Sequence, residues 1–408
     1  MSIPDGLWTL WMVVACLGLI EAVLSLRDGR RWARELRKAV PPLPSVRFPS
    51  ATLILPCAGQ DPGLEENLEA YFSQAYPDCQ ILLVTAARSD AALPTIRRVQ
   101  SRHPRPPSRL LFAGRARARG QKVHNLLAAV KELRRQDDVL VFGDSDIRPQ
   151  PDWMASLVSG LEEAGVGVTT GFRWYLPQKL AWPSRIRSAW NAGIVGLMRP
   201  AGSPFAWGGA MAIKRHDFQA CRIAEHWRNS LSDDLSLTAA VHRHGLQISF
   251  RPRALSFSHE DCSLAEFWRW SFRQMAITRV YSPPIWRLAW IAQTVNSSAI
   301  WGGLAGTVAT PLGILGSQQG ALSLILAATV FLLGGVKAYL RHRTVLELFP
   351  EYRQALERDR WSYRLLGPVA SLFTLAALFR SSLSRTIEWR GIRYRMVSKD
   401  RTIVLPDG

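Results

Sequence analysis

An α/β domain built on a parallel sheet and carried between membrane-spanning helices is the fold class that this sequence predicts, from three observations. Residues 7–26 hold one charge, Glu21, in twenty positions, and residues 288–336 hold none in 49; about 20 consecutive apolar residues suffice to cross a bilayer. Between them, short apolar runs alternate with helical ones, the pattern of βαβ units with helices on both faces of a sheet. Basic residues crowd the ends of the apolar stretches: Arg27, Arg30, Arg31, Arg34, Arg37 and Lys38 after the first, Arg341 and Arg343 after the last. By the positive-inside rule that places the intervening segment in the cytoplasm.

The elements follow in chain order. Residues 1–45 are expected to be an anchor with its basic juxtamembrane segment. No Lys or Arg precedes residue 7 and no small-x-small site follows before Arg27, so a retained span is expected rather than a cleaved signal peptide. A soluble domain is expected over 46–284, with strands at 51–55, 80–85, 109–113 and 139–142 and helices at 64–73, 91–101 and 123–135. Further strands are expected at 167–170, 205–213 and 247–251, and a polar-capped helix at 230–244. Residues 266–281, rich in Trp, Phe and Arg, are expected to form an interfacial helix. Residues 285–408 are expected to hold two spans joined by a tight turn near 317–320 and a basic tail. Residues 365–379 are too short to span comfortably and contain Gly367-Pro368, so a re-entrant or interfacial hairpin is expected there.

The net charge of +19 invites a nucleic-acid reading. Its concentration beside the spans favours cytoplasmic loops facing a bilayer with anionic lipids, and no nucleic acid is expected as a partner. Five scattered cysteines without a C-x-x-C pair argue against a disulfide framework or a zinc site.

In sheets of this kind ligands bind beyond the carboxyl ends of the strands, so chemistry is sought there. Asp144-Ser145-Asp146 directly follows a strand. Its two carboxylates suit Mg²⁺ or Mn²⁺, which prefer oxygen ligands, although acidic turns are also common in loops. Lys122, in Gly120-Gln-Lys-Val-His-Asn-Leu, opens a helix where phosphate is favoured. Asp233 and Asp234 open the helix at 230–244, either as caps or as the adjacent acids that a positioned general base needs. Gly208 and Gly209 allow close backbone approach to a ligand, or only a tight turn. His259 and Glu260, just after a strand expected to end near Phe257, are secondary candidates to reach a metal, although such residues are more often loop polar groups.

The order of these motifs resembles the family 2 glycosyltransferases, and most closely bacterial members of the ceramide glucosyltransferase branch. The resemblance rests on Leu55-Pro56, Gly-x-Lys-x-x-Asn-Leu at 120–126, Asp-Ser-Asp at 144–146, Gly-Gly-x-Met-Ala at 208–212 and Asp-Asp-Leu-Ser-Leu at 233–237. Glu388-Trp-Arg-Gly-x-x-Tyr394 completes it near the end of the chain. It implies a nucleotide-diphospho-sugar transferase fold of the GT-A kind and an inverting reaction at the bacterial inner membrane. A hexose would pass from a UDP-sugar to a lipid hydroxyl on ceramide, diacylglycerol or another lipid. On this resemblance Asp144 and Asp146 hold the metal, Asp234 is the base and Asp233 shapes its surroundings. Lys122, Asp90, Asp144, Gly208, Gly209, Arg273 and Gln274 contact the donor. Where the family carries an early aspartate pair, only Asp90 remains. The late Gln/Arg-x-x-Arg-Trp motif is assigned to Arg273 and Gln274, with Glu266-Phe-Trp-Arg269-Trp270 as the rival alignment. A processive polysaccharide synthase and a non-catalytic sugar-nucleotide-binding protein are the competing classes.

Overall fold

The computed structural model describes residues 3–39 and 48–406; the expected domain boundary at 45/46 lies outside the described residues. Helix α1 (Ile3–Lys38) is followed by strand β1 (Ala51–Pro56), α2 (Leu64–Phe72), β2 (Cys79–Thr85), α3 (Leu93–Arg102), β3 (Ser108–Phe112), α4 (Gln121–Val130) and β4 (Val139–Gly143). Next come α5 (Trp153–Ser159), β5 (Val166–Tyr175), α6 (Trp182–Val195), β6 (Ala210–Lys214), α7 (Arg215–Ala220), α8 (Ile223–His226), α9 (Asp233–Arg243) and β7 (Gln247–Ser258).

These seven strands form one sheet in the order β3-β2-β1-β4-β6-β5-β7. Strands β1 to β4 pair in parallel, and β1, β2 and β4 are buried on both faces, as sheets covered by helices on each side require, while β3 forms the half-buried edge. The expected parallel sheet is borne out over β1 to β4; beyond it β6 runs antiparallel to both β4 and β5, so the sheet as a whole is mixed. Apolar runs buried on both faces carry no signal of direction, which is why the sequence left this undecided.

Helix α4 stops at Val130, short of the expected 135. Asp137 is drawn under the sheet, where its carboxylate accepts from Thr52 Oγ1 (2.5 Å), Gln80 Nε2 (2.9 Å) and Arg134 Nε (2.9 Å). Those bonds pull the chain off the helical path. The strand expected at 205–213 begins only at Ala210, because Trp207-Gly208-Gly209 forms a turn against the site.

The later helices are α10 (Leu264–Tyr281), α11 (Pro283–Ser297), α12 (Gly303–Ala309), α13 (Ser317–Leu348), α14 (Arg353–Arg358), α15 (Arg360–Leu365) and α16 (Gly367–Leu383). A small antiparallel sheet of β8 (Thr386–Trp389), β9 (Ile392–Ser398) and β10 (Arg401–Val404) ends the described chain. Two helices, α1 and α13, are long and apolar enough to cross a membrane. They lie side by side and parallel: Trp8 donates to Ser323 near one end, and Arg37 pairs with Glu347 near the other. A small residue lets α1 approach the segment around Ala299 as well; a Cβ on Gly18 would stand 2.8 Å from the Ala299 Cβ.

Three expectations for this region are corrected. The turn joining the trailing spans lies at 310–316, because Ser317 already opens α13. The stretch expected to be the first trailing span is segmented: a π turn at Ser298–Gly302 separates α11 from α12, and the Ser298 carbonyl accepts from Trp11 Nε1 at 2.8 Å. Residues 365–379 form no hairpin. Pro368 sits in the first turn of α16, where a missing N–H costs nothing, and the helix runs on to Leu383. The expected boundary at 284/285 falls in the first turn of α11.

Candidate active site

The loops after β1, β2 and β4, the amino ends of α4 and α9, and helix α10 converge on one cavity of about 1360 Å³. Asp90, Lys122, Asp144, Asp146, Asp233, Asp234, Arg273 and Gln274 all line it, so residues spread over more than 180 positions meet in one place.

Lys122 is the hub. Its Nζ lies 2.7 Å from Asp144 Oδ1 and 3.0 Å from Asp233 Oδ2, and it donates to the Gly208 carbonyl at 3.1 Å. Burial opposes its charge, yet Asp144 and Asp233 outweigh that cost and hold the ammonium above its usual range. Burial also pushes the Asp233 carboxyl up to about 6, with Lys122 pulling it down and Asp234 and Asp144 pushing it further up.

A carboxyl whose folded pKa is raised binds its proton more tightly in the folded chain than in the unfolded one, where it titrates near about 3.9. This group therefore makes stability fall as pH rises from about 4 to about 6, and contributes no further slope above that. Asp233→Asn is expected to flatten this limb in thermal melts recorded across that window. An unchanged slope would assign it to another group.

Ser232 caps α9, accepting from Leu235 N–H at 3.2 Å. Asp234 is half-buried and faces the cavity. Its Oδ1 accepts from Ser232 Oγ (2.6 Å) and Leu235 N–H (2.7 Å), and its Oδ2 accepts from Gly208 N–H (3.2 Å). A carboxylate fixed from three sides yet open to a cavity is well placed to take a proton.

The two glycines are set by contact. A Cβ at Gly208 would fall 2.3 Å from Asp233 Oδ2 and 2.9 Å from Lys122 Nζ; one at Gly209 would fall 2.2 Å from the Trp207 ring and 2.7 Å from Asp144 Oδ2. Gly208→Ala is expected to push Asp233 off Lys122, costing about 1–3 kcal/mol of stability and at least tenfold in turnover. Melting and initial-rate measurements would check this, and a silent substitution would mean that the pair can shift freely.

The aspartate pair has partners that the sequence reading did not supply. Arg173, on β5, forks onto Asp146 with Nη2–Oδ1 at 2.5 Å and Nη1–Oδ2 at 3.1 Å, and its Nη2 lies 3.4 Å from Asp144 Oδ2. Burial works against the Asp146 charge, but Arg173 overrides it and keeps that carboxyl below its usual range. Glu260 stands 3.5 Å from Arg173 and 3.7 Å from Arg187, and burial raises its pKa. His259 instead turns to the Tyr352 ring, 5.7 Å between centroids, and is not among the cavity residues.

Arg390 enters from the far end of the chain. It sits in the two-residue β8–β9 hairpin at φ +50°, followed by Gly391 at φ +75°, the geometry of tight hairpin turns. Its guanidinium reaches Asp61 (2.7 and 2.9 Å) and the Ala58 carbonyl (2.7 Å). A non-glycine residue held at positive φ is a local strain that clusters at functional sites. The Glu388-Trp-Arg-Gly motif was the signal for it in the sequence. Asp90 Oδ1 accepts from Gly59 N–H and Ala92 N–H, both at 2.9 Å, and so ties the first two strand-end loops together. Arg273 lies over the Trp389 ring at 5.0 Å, and burial lowers its pKa to about 10. Arg269, the rival from the other alignment, is exposed and absent from the lining.

The family model for glycosyl transferase family 21 matches residues 10–402. The chain belongs to glycosyl transferase family 21. This bears out the resemblance to family 2 glycosyltransferases near the ceramide glucosyltransferase branch, here on a mixed α/β domain. Ceramide glucosyltransferase 1 of Caenorhabditis elegans is 27% identical over 116 residues, 28% of this chain and 24% of that protein. Ceramide glucosyltransferase 3 of the same organism is 25% identical over 121 residues, 30% of this chain and 25% of that protein. The match thus spans about a quarter of the length of these curated relatives. Among solved structures, a mannosyltransferase from Pyrobaculum calidifontis in complex with GDP-Man and Mn²⁺ is 18% identical with a TM-score of 0.49, covering 91% of this chain and 99% of that one.

Proposed function

We propose that this family 21 chain is an inverting transferase that moves a hexose from a UDP-sugar to the hydroxyl of a membrane lipid. One observation carries the reading. The cavity that holds Asp144, Asp146 and Asp234 continues without a break to Ala22 of α1, Val330 and Gly334 of α13, and Thr374 of α16. A water-soluble donor and a lipid acceptor can meet there without either leaving its own phase. Apolar side chains stand exposed on the outer faces of the same helices, among them Leu10, Leu17 and Leu24 on α1 and Leu322, Ile325 and Leu332 on α13. Faces of that kind suit a bilayer. The proposed organisation is an anchor over 1–45, a cytoplasmic transfer domain over 46–284 and a membrane region over 285–408.

In the transfer, the acceptor oxygen bonds to the anomeric carbon as the bond from that carbon to the diphosphate breaks. The hydroxyl proton passes to Asp234. Lys122 faces the diphosphate, and Arg273 and Gln274 close the site from α10. Asp144 and Asp146 are the residues that would hold a divalent cation. Among the described residues no group of three His, Cys, Asp or Glu stands ready to hold one. That donor set suits a cation such as Mg²⁺, which binds through one or two carboxylates together with substrate phosphates. When bound, it supplies charge to offset that developing on the leaving diphosphate.

UDP release by the purified chain tests this, measured with Mn²⁺ or EDTA across several UDP-sugars and lipid acceptors. Metal-dependent release stimulated by one lipid is expected. Failure of every pair with folded protein would reject the UDP-sugar reading.

A further inference from the structure

The membrane half of the cavity holds charge that sugar transfer does not use. Val330, Gly334, Lys337, Ala338 and Arg341 all line it, and their spacing puts them on one face of α13. Lys337 and Arg341 are neighbours one turn apart. Arg364, on α15, lines the same region, and Glu21 is the one acid that α1 and α11 to α16 contribute to the lining among the described residues.

The local carboxylates are already engaged. Asp28 and Glu35 pair with Arg199, and Glu347 pairs with Arg37 and Arg343. Lys337 donates to Ser25, one turn from Glu21 on α1. Arg364 donates to His342 Nδ1 at 3.2 Å, and its Nε is left without a partner. Arg341 is only 9% exposed, and its buried Nε has no hydrogen-bond partner. Among the described residues no carboxylate pairs with it. A buried, uncompensated guanidinium is costly, and an anion entering the cavity would remove that cost.

We propose that Lys337 and Arg341, with Arg364 beside them, form a subsite for the phosphate of a membrane lipid inside the acceptor cavity. Three cations against one acid leave a local charge of about +2, suited to a phosphate mono- or diester. Both sit toward the end of α13 where the apolar run gives way to charge, the level at which headgroups lie. The bilayer orientation rests on the function proposed above; the charge imbalance does not.

The test uses the full chain in detergent, titrated with short-chain phosphatidylglycerol, with the matching neutral diacylglycerol and with inorganic phosphate. Saturable phosphatidylglycerol binding is expected, weakened at least tenfold by Arg341→Gln, with UDP-sugar binding unchanged. Equal binding by wild type and Arg341→Gln would overturn the proposal. So would full competition by inorganic phosphate at equal concentration, which would make this a site for free phosphate. Should Arg341→Gln not fold, lipid phosphorus retained through purification is compared between wild type and Lys337→Gln, with loss expected and equal retention counting against the subsite. Loss of UDP release with intact phospholipid binding would sink the transferase reading alone.

Discussion

Replacing Asp234 by Asn is expected to leave UDP-sugar binding nearly unchanged while lowering turnover by about 10²–10⁴-fold, the usual contribution of a positioned base. The substitution keeps the shape and can keep two of the three hydrogen bonds. With its amide oxygen in the place of Oδ1, Asn still accepts from Ser232 Oγ and Leu235 N–H, whose contacts are 2.6 and 2.7 Å in the native chain, and loses only the acceptor facing Gly208 N–H. What it removes is the capacity to bind a proton. Because Asp233 carries the ion pair to Lys122, the local charge balance of the donor side survives. Equilibrium donor binding and single-turnover rates separate the two effects. Wild-type turnover in this variant would exclude Asp234 as the base.

Asp146→Ala is expected to have the second largest effect, abolishing Mn²⁺-dependent donor binding. It removes one of the two carboxylates proposed for the cation and also strips the 2.5 Å partner from Arg173. Removing one member of a buried pair costs about 3–5 kcal/mol, and both side chains are mostly buried, at 11% and 23% exposure. The variant should therefore melt lower as well as bind less. The double variant Arg173→Met with Asp146→Leu separates these effects, since an apolar pair restores stability without restoring the metal site. Normal Mn²⁺-dependent binding in Asp146→Ala would reject the metal assignment.

Much of this site was legible in the sequence because its parts sit at positions with local physical signatures. Asp144 follows a buried strand, Lys122 opens a helix, and Asp233 and Asp234 follow a capping serine. Each lies where a strand or helix ends, and chain termination and chemistry use the same residue types. Arg173 left no such mark. It lies within a strand whose other residues are almost all buried, and an arginine there reads as a misfit until the fold sets it against Asp144 and Asp146. Arg390 was visible as part of a motif, but its pairing with Asp61 spans the whole chain and has no local correlate.

By itself, the sequence determined the alternation of strands and helices, the apolar helices and the motif residues, since each follows from hydrophobic periodicity or end chemistry within a few residues. The tertiary structure alone decided that β6 runs antiparallel, that 367–383 forms one helix, that Arg173 occupies the aspartate pair and that Arg341 is buried without a counter-ion. Strand direction and ion pairing depend on which segments meet in space. A pattern of local burial is the same for either direction, and a charge carries no record of its partner.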